Sequence, residues 1–84
     1  MDEQKILEIV LLDLATQDQK KKDAWLIYDH EDAQRLGLSL PDLQGALNYL
    51  VVRQLARRYG GVQISEQGLK WIEDSEGNTG NGAS

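Results

Sequence analysis

The sequence predicts an α+β domain, mostly helical, with three to four helices built around a helix-turn-helix and one small β-hairpin. Three observations predict it. Residues 29–55 read as a short capped helix, a glycine turn and a longer capped helix. An apolar run of helical spacing precedes this stretch in residues 2–16. After it, Gly60 and Gly61 divide two short strand-like runs, 56–59 and 62–65.

The first helix is expected over residues 2–16, DEQKILEIVLLDLAT. Asp2 and Glu3 suit the positive end of its dipole. Ile6, Ile9, Val10, Asp13 and Leu14 follow helical spacing, and Leu7, Leu11 and Leu12 widen the apolar arc beyond one face. Either a small protein buries most of this arc internally, or Leu7 and Leu11 belong to a second face packed on a twofold mate. Residues 17–23, QDQKKKD, form a polar connection. Lys20, Lys21 and Lys22 are its run of like charge, read as a solvated loop or as phosphate contacts. Residues 25–28 alternate as a short strand, with Trp25 and Ile27 on one face and Leu26 and Tyr28 on the other.

The helix-turn-helix follows. Asp29 is an N-cap with Asp32 three residues on, and Ala33, Leu36 and Leu38 give the short helix an apolar face. Gly37 permits a tight helix exit. Ser39 caps the longer helix, Pro41 lies in its first turn and Asp42 stands three residues after the serine. Leu43, Leu47, Leu50 and Gln54 mark its stripe, widened by Ala46, Val51 and Leu55. His30 sits between Asp29 and Glu31, where consecutive helical residues diverge, so a cap explains the cluster better than a metal site.

Gly60 and Gly61 signal a two-residue hairpin loop, since paired glycines tolerate the positive φ of such turns. Ser65 then caps a short closing helix that packs through Leu69, Trp71 and Ile72. The domain is expected over 1–74, and SEGNTGNGAS, 75–84, as a disordered tail.

Composition limits the function. Eighty-four residues make one domain, and 40% apolar content suffices for a core. The absence of cysteine excludes disulfides, thiolate metal sites and cysteine nucleophiles. No apolar run is long enough for a membrane span, and the acidic start is unlike a secretory signal, so a cytoplasmic protein is expected. No nucleophile pattern or phosphate loop occurs, so neither an enzyme nor a cofactor site is expected.

Ala33, Gln34, Arg35, Leu36, Gly37, Leu38 and Ser39, followed by Leu43, Ala46, Leu47 and Leu50, resemble the helix-turn-helix of winged-helix transcriptional regulators. The likeness continues through residues 55–65, which look like a two-stranded wing, into Glu66, Gln67, Gly68 and Leu69 opening a closing helix. The resemblance implies a winged helix-turn-helix that binds double-stranded DNA as a dimer. The second motif helix would enter the major groove. Its early exposed positions are Leu40, Pro41, Asp42, Gln44, Gly45 and Asn48, where such regulators carry Lys, Ser, Thr or Arg.

Gln44 and Asn48 lie one turn apart and suit adenine. Ser39 at the helix start, Arg53, Arg57, Arg58, Gln63 and the three lysines complete the expected DNA surface. Against a formal charge of −5, the segment from Ser39 to Ser65 is the positive one, with Arg53, Arg57 and Arg58 against Asp42. A second reading makes the fold a protein-interaction module. Its interface would be Leu40, Tyr49 and Val52 on the second motif helix, or Leu7 and Leu11 on the first.

Overall fold

A computed structural model describes residues 2–22 and 24–83, with side chains described as far as Asp74. The order is α1 (Glu3–Lys20), α2 (His30–Leu36), α3 (Leu40–Val52), β1 (Ala56–Tyr59), β2 (Gly61–Ile64) and α4 (Glu66–Ala83). This is an α+β fold in a winged-helix-like layout: four helices and a two-stranded antiparallel hairpin. The expectation of a disordered tail over 75–84 falls outside the described side chains.

Local chemistry starts each helix where the sequence signals it. The Asp2 carboxylate accepts from the Lys5 N–H at 2.8 Å and opens α1. Asp29 and Asp32 form a reciprocal capping box at α2. Gly37 ends α2 in the left-handed region at φ 73°, and the Ser39 hydroxyl accepts from the Asp42 N–H to open α3.

Two bounds differ from expectation. Residues 17–20 continue α1 rather than leaving it, because Gln and Lys are good helix formers and Lys20 complements the negative helix end. Gln54 does not extend the α3 stripe: the helix stops at Val52 and Gln54 turns the chain at φ 66°.

The core joins one face from each element. Val10, Leu11 and Leu14 of α1 meet Leu43, Ala46, Leu47 and Leu50 of α3, with Tyr28, Ala33, Ala56, Val62, Ile64 and Ile72 around them. The wide arc of α1 is thereby mostly used inside the chain. Leu11 is fully buried, which corrects its assignment to a partner interface, and Ile6 and Leu7 are half-buried against the same core. The physical reason is α4, whose Trp71 lines one cleft with Leu7, Leu11, Leu50 and Leu55. Leu12 alone among the leucines of α1 stays exposed.

The strand expected over 25–28 alternates as predicted: Trp25 and Ile27 face solvent, whereas Tyr28 is buried and Leu26 half-buried. Its pairing is one bridge only, Leu26 with Val62, sealed by two hydrogen bonds of 2.7 Å. The partner strand has its turn at Gly60, two residues before Val62, and beyond Tyr28 the chain enters the α2 cap, so the pairing has no room to lengthen in that direction.

The hairpin also differs in detail. Tyr59 pairs with Gly61, so Gly60 alone forms the bend, at φ 79°. Gly61 is needed for a different reason: a Cβ there would lie 2.8 Å from the Leu26 carbonyl oxygen.

A second clip fixes the end of α3 to the start of α4. The Ser65 hydroxyl donates to the Gln54 carbonyl at 2.6 Å and accepts from the Gly68 N–H at 3.0 Å. The Ser65 N–H also bonds the Leu55 carbonyl. That carbonyl comes so close to α4 that a Cβ on Gly68 would sit 2.2 Å from it and 2.7 Å from an Ile64 side-chain carbon. Gly45, in contrast, lies mid-helix on α3 with open space about it. Urea unfolding is therefore expected to show Gly68→Ala destabilised by about 1–3 kcal/mol and Gly45→Ala stabilised by about 0.5–1 kcal/mol.

Candidate functional site

Two polar constellations stand out, one inside and one on the surface. The inner one centres on Asp13, which occupies the apolar face of α1 and is buried. Its carboxylate accepts from the Tyr28 hydroxyl at 2.6 Å and from both terminal nitrogens of Arg35, at 2.7 and 3.0 Å. Arg35 also reaches Asp32 at 3.0 Å. Burial pushes the Asp13 carboxyl up, but hydrogen bonds from Arg35 and Tyr28 outweigh it and hold it below the ordinary carboxylate range. Burial and the neighbouring Asp13 charge hold the Tyr28 hydroxyl protonated well beyond its usual range.

Among the described residues no buried side-chain polar atom lacks a partner, and Asp13 is satisfied on both oxygens. The arrangement fastens α1 to α2 and offers no group for proton transfer. An aspartate on the apolar stripe was the sequence signal for it. His30 is not part of it; its ring nitrogen lies 3.3 Å from the Gln34 amide one turn on. Among the described residues no three metal-ligating side chains converge, and no helix is long and apolar enough to cross a membrane.

The surface constellation lies between α3 and the hairpin. Gln44 and Asn48 are both exposed on α3, as their spacing requires. Arg58 crosses from β1 and donates to the Asn48 Oδ1 at 2.6 Å. These three, with Ile27, Gly60 and Gly61, line one cleft of about 370 Å³. Strand alternation sends neighbouring arginines apart: Arg58 meets α3, whereas Arg57 lies over the Trp25 ring, 5.6 Å from its centre. Arg53 is at the far end of α3, bonded to the Tyr49 hydroxyl at 3.0 Å and stacked on that ring.

The remaining expected contacts divide. Ser39 is exposed, but its hydroxyl is engaged as the α3 cap. Gln63 is only 5% exposed, so its side chain is not presented to a phosphate. Lys20, Lys21 and Lys22 are exposed at the end of α1, in a turn closed by the Ala24 N–H on the Lys21 carbonyl. Of the apolar candidates, Leu40 and Leu7 are half-buried against the core, while Tyr49 and Val52 are exposed. Sequence reasoning missed the exposure of Ile27 and Tyr59, since alternation marks two faces of a strand without saying which is covered. No protein-family model, no curated protein and no solved structure matches this chain.

The linkage sign of the inner cluster is definite. A depressed Asp13 pKa contributes stability that is full above the ordinary aspartate value and lost as pH falls through the lowered folded value. Arg35 is 45% exposed, so solvent screening reduces its share. Asp13→Asn is expected to cost about 1–2 kcal/mol at neutral pH and to flatten the loss of stability below about pH 4. Urea melts of both proteins across the acid range measure this.

Proposed function

We propose that this chain is a small winged-helix DNA-binding module acting as a transcriptional regulator in the cytoplasm, with α3 laid in the major groove. The observation that carries the reading is the convergence of Gln44, Asn48 and Arg58 on one cleft between α3 and the hairpin. Gln44 and Asn48 supply amide edges that match adenine, and Arg58 exchanges the Asn48 carbonyl for a phosphate on docking. Freed in this way, Asn48 presents both its donor and its acceptor to a base. Arg53 reaches backbone at the helix end. A twofold dimer supplies a second half-site and offsets the few cations of each copy.

A protein-interaction module is the second reading, and the exposure of Tyr49 and Val52 on α3 favours it. Fluorescence anisotropy of a labelled duplex against salt separates the two. The DNA reading expects a log–log salt slope of about −3 to −5 for several phosphate contacts. Arg58→Ala is expected to weaken all sequences and reduce that slope by about 1, whereas Gln44→Ala and Asn48→Ala alter base preference by about 1–3 kcal/mol. Absence of duplex binding at low salt, together with a partner lost on Val52→Asp, turns the assignment to protein.

A further inference from the structure

The outer face of the hairpin carries a second set of side chains that α3 does not use. The Leu26–Val62 bridge and the β1–β2 register place Trp25, Gln63 and Arg57 in one row across the sheet, and Ile27, Gly61 and Tyr59 in the next. Of these, Trp25, Ile27, Arg57 and Tyr59 are exposed, whereas Gln63 is buried. Arg57 lies over the Trp25 ring, and Gln63, the position between them in the row, is buried on an otherwise open face. In the second row Gly61 has no side chain, and the backbone of Trp25 and Leu26 fills the space where its Cβ would lie. Tyr59 is 82% exposed, Ile27 79% and Trp25 41%, and the two aromatic rings stand 6.1 Å apart at 51°.

The charge on this face has one sign. None of the six face positions is acidic, and Arg57 is among them. Lys20, Lys21 and Lys22 end α1 only three to five residues before Trp25, which keeps their backbone within about 20 Å of it. Asp23 is the acid in that turn sequence. Two exposed rings, a guanidinium stacked on one of them and a lysine run a few residues before Trp25 match a ligand with flat π-faces and regularly spaced negative charge. A second copy is a poor match, because a twofold pairing lays this face, which carries Arg57 and no acid, on an identical face.

We propose that the outer hairpin face binds single-stranded nucleic acid. Bases stack on Tyr59 and on the open side of Trp25, and phosphates meet Arg57 and the three lysines. Its ligand-bearing side chains, Trp25, Tyr59 and Arg57, are distinct from Gln44, Asn48 and Arg58 of the duplex reading, while Ile27 and Gly61 border both surfaces.

The test is anisotropy of a fluorescein-labelled oligothymidine titrated with the full chain at several salt concentrations. Binding is expected with a log–log slope no steeper than about −3, since single strands give roughly 0.7 per neutralised phosphate and four cations are available. Tyr59→Ala and Trp25→Ala should each weaken it about tenfold, and Tyr59→Phe should restore it because stacking uses the ring. Gln44→Ala and Asn48→Ala should leave it unchanged, which keeps failure here distinct from failure of the duplex reading. Tyr59 is almost fully exposed, so its urea midpoint should match the parent and serve as the folding control. The proposal is overturned by no binding at low salt, by equal affinity in Tyr59→Ala, or by displacement by oligoglutamate on equal terms. Dimerisation abolished by Tyr59→Ala would give the face to a second copy and overturn it also.

Discussion

The carboxylate of Asp13 holds three parts of the chain that would otherwise meet only through apolar contact. It takes a hydrogen bond from Tyr28, just before α2, and two from Arg35 near the end of α2. A buried carboxylate left without donors is costly, so α1 and α2 must arrive together in an orientation that satisfies it. Apolar packing alone tolerates sliding, whereas a forked guanidinium on a carboxylate does not. With α2 fixed, the tight turn at Gly37 carries the chain into α3, and the position of α3 follows.

The far end of α3 is fixed by a different device. Ser65 closes the loop over Gln54, and Gly68 lets the Leu55 carbonyl approach α4 more closely than any side chain allows. The hairpin between these points is therefore anchored at its base by the Ser65 clip and along one edge by the Leu26 bridge. A short, doubly anchored hairpin gives its two faces fixed and different surroundings. One face meets α3 through Arg58, and the other looks into solvent with Trp25 and Tyr59.

That division reshapes the charge argument. Arg57 and Arg58 are adjacent in sequence and add to one positive segment when counted along the chain. In space they serve opposite faces, so no single ligand surface receives both. A modest local charge on each side of the hairpin, within a chain of formal charge −5, suits contacts that depend on shape and stacking as much as on attraction.

Much of this was determined by the sequence alone. Asp2, Asp29, Ser39 and Ser65 mark helix starts through bonds to residues three positions on, and Gly37 ends α2 through its own backbone freedom. Such interactions are local, so their spacing is readable. The exposure of Gln44 and Asn48 was legible for the same reason, being fixed by the period of α3. Tertiary structure decided what depends on remote partners: Leu11 in the core, Asp13 paired with Arg35, Gln63 buried in the row between Trp25 and Arg57, and Gly61 demanded by the Leu26 carbonyl. Periodicity tells which residues share a face, but only the packing of distant segments settles which face is covered.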